Sequence, residues 1–287
     1  MKRFFGFLLC VALVGFYYAT TPSMREKGIT LVPDPQNGEY VYFAAGCGGC
    51  HAAPNAEEDS KKVLSGGQKF PSPFGTFVAP NVSMHVDYGI GAWSQDDFVR
   101  AVRQGVSPDG RHYYPAFPYT SYQGMSDQDV IDLWSYWQTL PSSEQKSQAH
   151  DLPIYAKWRR PLGIWKMMFQ SAPDPQMQDA ELARGEYLVN TLGHCGECHT
   201  ARNVFGARSS KNILMGAQHP NGKGRIPAIA GNTFDWNAAD TAEYLKSGFT
   251  PDYDVAGSLM AEVIENTSKL SDQDRMAIAN YLKVLAN

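Results

Sequence analysis

Neither a run of like charge nor a spare pair of cysteines occurs in this 287-residue chain. Lys and Arg total 25 against 29 Asp and Glu, a formal charge of −4, and basic residues nowhere gather densely enough to track a phosphate backbone, which excludes a nucleic-acid partner. Charged residues are only 19% and hydrophobic ones 43%, with 18 prolines, the composition of a loop-rich globular chain rather than a disordered tail or coiled coil. Convincing strand alternation is missing too, so the expected class is all-α. The length suits two ordinary domains and a segment belonging to neither.

Four of the five cysteines form two CxxC pairs, Cys47/Cys50 and Cys195/Cys198, each followed directly by histidine, His51 and His199. None is left over for an ordinary disulfide. The fifth, Cys10, lies in an uncharged apolar run over residues 4–20 that follows Lys2 and Arg3. That run is short for a bilayer span and long for a cleaved signal core. With Tyr17 and Tyr18 at its exit and no clean small-x-small cleavage site, residues 1–24 are expected to be an uncleaved membrane anchor that places the rest of the chain across the membrane. Cys10 reads as an apolar helix residue there, because Leu9 is too large for a lipoprotein site.

A repeat organises the remainder. Gly38-Glu39-Tyr40 recurs as Gly185-Glu186-Tyr187 at an offset of 147 residues, the CxxCH motifs at 148, and Ser126-Asp127-Gln128-Asp129 as Ser271-Asp272-Gln273-Asp274. Trp93-Ser94 through Gly105 matches Trp236-Asn237 through Gly248, each a helix with a Ser or Asn cap and a terminal glycine. The expectation is an N-terminal anchor, a first domain over 36–141, a linker over 142–180 and a second domain over 181–287, each half a separate binding unit. Each would run a helix into CxxCH, a Gly/Pro-rich loop, a middle helix and a capped last helix ending near Leu140 or Leu285. The linker is aromatic and basic around Trp158, Arg159, Arg160 and Trp165, which suits either packing between the domains or a membrane or partner surface.

On one helical turn, positions i, i+3 and i+4 share a face, so each CxxCH presents two thiols and an imidazole to the same flat ligand. Haem fits: the thiols form thioethers with its vinyl groups and the histidine lies under the iron. A thioredoxin-like redox pair or a zinc site accounts for neither the histidine after both pairs nor the duplicated frame. Two covalently bound haem c groups, held by Cys47, Cys50 and His51 and by Cys195, Cys198 and His199, are expected. Pro80 and Pro227 would offer their carbonyls to the free ring N–H of the two histidines. Arg100, Arg103, Arg111 and Arg202 are candidates for neutralising haem propionates.

With these motifs the chain resembles the membrane-associated dihaem cytochrome c family that serves as the electron-accepting subunit of bacterial periplasmic dehydrogenases, such as those for alcohols, gluconate, or aldehydes and N-heterocycles. The likeness covers nearly everything after the anchor. It is carried by Pro73-Phe74-Gly75-Thr76-Phe77, Pro80-Asn81-Val82-Ser83, Gly89-Ile90-Gly91-Ala92-Trp93-Ser94, the segment from Pro108 to Tyr119, His194 to Thr200, and Gly257-Ser258-Leu259-Met260-Ala261-Glu262-Val263. The resemblance implies two tandem cytochrome c folds in the periplasm, anchored to the bacterial inner membrane. It also implies electron transfer from a dehydrogenase subunit to a quinone, a soluble cytochrome or an oxidase.

A low-spin haem takes a second axial ligand, for which methionine sulfur favours the reduced iron. Met260 occupies the segment resembling the family's ligand loop and is assigned to the second haem. Many relatives carry methionine in a Pro-Ala-Met-Pro-Tyr segment, where this chain has Phe117, whose ring has no donor atom. Met125, just before the Ser126 cap, is the choice for the first iron. Met84 competes but follows Pro80-Asn81 on the proximal side, and His112 and His85 stay open. The reading is an electron carrier, not an enzyme on its own; the rival is a dihaem enzyme such as a peroxidase with an open first iron.

Overall fold

The computed structural model describes residues 2–24, 28–171, 174–220, 222, 224–257 and 259–286; Ser258 of the family-like segment and Asn287 lie outside the described residues. In chain order the helices are α1 (Lys2–Thr20), α2 (Pro35–Ala44), α3 (Cys47–His51), α4 (Gln95–Gln104), α5 (Tyr119–Tyr122), α6 (Asp127–Trp137), α7 (Leu162–Phe169), α8 (Ala180–Tyr187), α9 (Gly196–His199), α10 (Ala238–Ser247), α11 (Leu259–Thr267) and α12 (Asp272–Ala286). The all-α expectation misses two small antiparallel hairpins, β1 (Lys69–Ser72) with β2 (Gly75–Val78) and β3 (Ala217–Gln218) with β4 (Arg225–Ile226). Their two to four paired positions are too short to print an alternating pattern.

Capping chemistry sets the helix starts. Ser94 accepts from the Asp97 N–H, Asn237 from Asp240, Ser126 from Asp129 and Ser271 from Asp274, each satisfying an orphan donor of a first turn. Gly105 and Gly248 end α4 and α10 at φ 61° and 80°, a conformation glycine enters without strain. α6 stops at Trp137, a turn short of Leu140, and α12 runs to Ala286.

The repeated Gly-Glu-Tyr has a structural explanation. α2 packs on α6 and α8 on α12, and the crossings are tightest at the glycines. A Cβ on Gly38 would stand 2.0 Å from the Asp132 carbonyl oxygen, and one on Gly185 would stand 2.1 Å from that of Ala277. Alanine at Gly38 gains about 1 kcal/mol of helix propensity. It costs about 3 kcal/mol or more by forcing two packed helices apart. G38A and G185A are each expected to lower the urea midpoint, by a net destabilisation of about 2 kcal/mol; an unchanged midpoint would mean that the crossing yields freely.

The tyrosines of the repeat cross over. Tyr187 donates to the Asp129 carboxylate at 2.6 Å and accepts from the Ser126 N–H at 3.1 Å. Tyr40 donates to Asp274 at 2.7 Å and accepts from the Ser271 N–H at 3.0 Å. Each thereby reads the Ser-Asp-Gln-Asp cap of the other half of the chain, so the halves interlock instead of standing as separate units. One apolar cluster spans both, from Val41, Leu64, Val99 and Val130 to Leu188, Leu192 and Ile278. The extra residue in the second copy is taken up by a π turn at Leu188–Leu192, where the Gly193 N–H reaches back five residues to the Leu188 carbonyl.

The expected membrane anchor is overturned, and the inner-membrane localisation with it. Among the described residues no helix is long and apolar enough to cross a membrane. The 19 residues of α1 rise about 28 Å at 1.5 Å each, under the ~30 Å hydrocarbon core, with Gly6, Gly15, Tyr17, Tyr18 and Thr20 diluting the run. Its end docks on the linker instead. The Thr20 carbonyl lies 3.1 Å from His112 Nε2, Phe16 packs on Trp158, and Arg160 donates to Thr21 Oγ1 at 2.9 Å.

Further along, α7 ties the halves together. Lys166 donates to the Gln104 and Gly105 carbonyls at the end of α4, although burial brings its amine down to about 7. The Trp165 Nε1–H reaches the Phe205 carbonyl at 2.9 Å. Trp165 and Lys166 thus bond to opposite halves of the chain, while Trp158 and Arg160 contact the end of α1 and Trp158 stays 60% exposed.

Candidate functional site

Each CxxCH occupies a short helical turn entered through a left-handed residue: Gly46 at φ 61° before α3, and His194 at φ 38° before Cys195 and α9. That bend turns the chain from the preceding long helix into the motif. The His51 Nδ1–H faces the Pro80 carbonyl at 3.2 Å and the His199 Nδ1–H faces that of Pro227 at 2.8 Å. Both rings are thus fixed in orientation and tautomer, with Nε2 left as the electron-pair donor. Burial lowers the affinity of both imidazoles for a proton, which keeps that pair available at neutral pH.

Burial pushes the Cys47 and Cys195 thiols up to about 12. That is opposite to the lowered value of an activated redox thiol. Among the described residues no three His, Cys, Asp or Glu side chains converge as a metal cage, so neither motif makes a protein-only zinc site. Two thiols and a fixed imidazole on one turn, with a single protein nitrogen for a metal, match a flat iron macrocycle attached through sulfur. Phe249, Val255, Leu259 and Val263 stand exposed near Met260 in sequence, apolar faces of the kind a porphyrin covers.

The other expected residues are placed as follows. Met260 sits in the first turn of α11. Met125 is buried, and Arg103 holds it in place by donating to its carbonyl and to Asp127. Met84 lies four residues beyond Pro80, on the segment that receives the His51 ring. Phe117 is packed among the rings of Tyr113, Tyr119 and Tyr122. His112 is engaged with Thr20, and His85 accepts from the Asp87 and Tyr88 N–H groups while stacking on Tyr88. All four arginines have carboxylate partners within the chain: Arg100 with Asp97, Arg103 with Asp127, Arg111 with Asp109, Arg202 with Glu197.

Two charged groups beside the motifs escape a reading of the sequence. Glu197, inside the second CxxCH, is enclosed and accepts from Arg202, from Arg208 at 3.2 Å, and from the hydroxyls of Thr120 at 3.3 Å and Ser121 at 3.4 Å. Burial alone would push its carboxyl up, but Arg202 and Arg208 outweigh it and hold the group ionised. Lys61, ten residues past His51, donates to Glu262 at 2.7 Å and to Glu265 on α11. α11 lies against α3, where Gly49 leaves room: a Cβ there would sit 3.8 Å from Glu262 Cβ. The position of Glu197 in a motif was the only signal available; Lys61 gave none.

Residues 35–141 match the family profile described as Cytochrome c. The chain is 49% identical to a protein named diheme cytochrome c-type from Cereibacter sphaeroides, over 96% of this chain and 95% of that one. It is 34% identical to the cytochrome c subunit of a quinone alcohol dehydrogenase from Gluconobacter oxydans, over 86% of this chain and 54% of that one. It is also 34% identical to the gluconate 2-dehydrogenase cytochrome c subunit of Pantoea cypripedii, over 87% and 59%. Against these two dehydrogenase subunits the chain spans just over half their length. With CxxCH turns and proline-held histidines of this geometry, the chain belongs to the cytochrome c family, whose members bind haem c covalently.

Proposed function

We propose that the chain is a dihaem c-type cytochrome that carries electrons in the periplasm from a dehydrogenase subunit to the respiratory chain, with a quinone, a soluble cytochrome or an oxidase as acceptor. Two tandem cytochrome c domains, over 36–141 and 181–287, would each hold one haem c, joined by the linker over 142–180. The observation that carries the reading is the pair of CxxCH turns with histidine rings held on Pro80 and Pro227. The relatives named as cytochrome subunits of alcohol and gluconate dehydrogenases support the donor class.

Bound haem supplies a one-electron iron couple. The protein's part would be orientation and insulation: Pro80 and Pro227 hold the rings of His51 and His199, which with Met125 and Met260 would hold the haem irons, and the apolar core around them would limit access of water. The charge-led apolar start of the chain, Lys2 and Arg3 before residues 4–20, supports export.

The test is isolation of the chain from its native cells without tagging its neighbours. A flavin, quinoprotein or molybdenum dehydrogenase should co-purify and, given its substrate, reduce both haems within the turnover time of the complex. Rapid peroxide turnover with no such partner would instead make the chain an enzyme.

A further inference from the structure

Besides contacts within its own half, such as Arg103 on the Met125 carbonyl, each methionine segment is held by residues from the half of the chain that carries the other CxxCH. α11 begins with Leu259 and Met260 and is fastened two and five residues later, through Glu262 and Glu265, to Lys61. Lys61 lies ten residues past His51; its side chain is 17% exposed, while those of Glu262 and Glu265 are 43% and 45% exposed, so this pair sits at the rim and is part-screened by water. In the opposite direction, α5 leads through Gln123 and Gly124 to Met125. Thr120 and Ser121 of α5 donate to Glu197 in the second motif, the Tyr122 ring lies 5.4 Å from that of His194, and the Ser126 N–H is taken by Tyr187. Met125 is therefore flanked on both sides by contacts from the second half.

An enclosed, charge-assisted hydrogen bond is stronger than an exposed ion pair, because burial weakens the competition from water. Lys61 meets two carboxylates one helical turn apart, so it fixes both the position and the rotation of α11. Glu197 meets two arginines of its own half and two hydroxyls of the other, a junction that keeps its charge while joining the halves.

We infer that Lys61 and Glu197 are positioning residues for the axial methionine of the opposite haem, Lys61 setting Met260 over the second iron and Glu197 setting Met125 over the first. The inference rests on the ligand assignment proposed above and adds that the two irons are ligated interdependently. A disturbance at one attachment motif reaches the sulfur ligand of the other haem before it reaches its own.

The test uses the full haem-loaded chain, with the ring-current-shifted methionine methyl resonances read by NMR in the reduced form and iron access read by imidazole titration of the oxidised form. Met260→Ala and Met125→Ala assign one methyl set each. Lys61→Met should shift or broaden the Met260 set while the Met125 set stays. Imidazole should then bind the second iron at a concentration lower by about threefold, as the loss of two part-exposed ion pairs implies. Lys61→Arg should restore both readouts. Glu197→Gln, of the same shape without the charge, should move the Met125 set and spare that of Met260. Every variant should keep its covalent haem, which separates a moved ligand from a misfolded chain.

An effect confined to the haem of the residue's own motif, or no effect on either set, overturns the bracing. If Met260→Ala removes no methyl set, the ligand assignment itself falls and the inference falls with it. If it removes a set that Lys61→Met leaves untouched, only the bracing falls.

Discussion

Denatured protein is expected to retain two haem groups per chain, and a Cys195→Ala/Cys198→Ala variant one. The basis is chemical: a thioether survives conditions that strip every axial ligand, so retention after denaturation reports the cysteines alone and not the histidines or methionines. All four motif cysteines are free of disulfides, so each sulfur is available to form a thioether with a vinyl group. Haem stain after gel electrophoresis and intact mass both read the number of adducts. One adduct in mature wild-type protein, or two in the double variant, would break the dihaem reading. The interlocked halves add a second expectation for the double variant. With the Glu197 turn no longer tied to a porphyrin, the remaining haem should show a weakened methionine band although its own motif is intact.

Most of the frame could be read before any coordinates because it rests on local chemistry. Ser94, Ser126, Asn237 and Ser271 are capping residues by virtue of their own side chains, and Gly105 and Gly248 end helices by virtue of lacking one. The proximal halves of both sites were legible for the same reason. A histidine next to the second cysteine has only one direction in which to point, and a downstream proline leaves a carbonyl free to meet its ring.

What stayed hidden depends on which parts of a duplicated chain face each other. Gly-Glu-Tyr is visible as a repeat, but nothing in it says that Gly38 faces its own half, at Asp132, while Tyr40 reaches the other half, at Asp274. The one-residue difference between the offsets of 147 and 148 was in plain view, yet only the coordinates place it as a π turn before the second motif. The apolar run at the start misled in another way. Hydropathy and flanking charge resemble an anchor, whereas its length falls short and its end, from Phe16 to Thr21, is taken up by Trp158, His112 and Arg160.

Replacing Met125 is expected to change one iron and leave the other. Phe117 has no donor atom and its ring is already packed among three tyrosines, so it gives the first haem nothing. One ring nitrogen each of His112 and His85 is engaged with backbone groups, and Met84 shares its segment with the Pro80 carbonyl that orients His51. Met125 is buried on the other segment, with Arg103 holding its carbonyl. Met125→Ala should therefore remove about half of the near-infrared sulfur-to-iron band, one of two thioether ligands being lost. The first haem should bind carbon monoxide when reduced and cyanide when oxidised more readily than in the parent. Its potential should fall by on the order of 0.1 V, since a soft sulfur preferentially stabilises ferrous iron and axial ligands span about 0.8 V in all. Met84→Ala serves as the comparison and should leave the band intact, because Met84 follows Pro80, whose carbonyl faces the His51 ring, on the segment assigned to the proximal side. A spectrum altered by Met84→Ala and untouched by Met125→Ala would reverse the assignment of the two faces of the first haem.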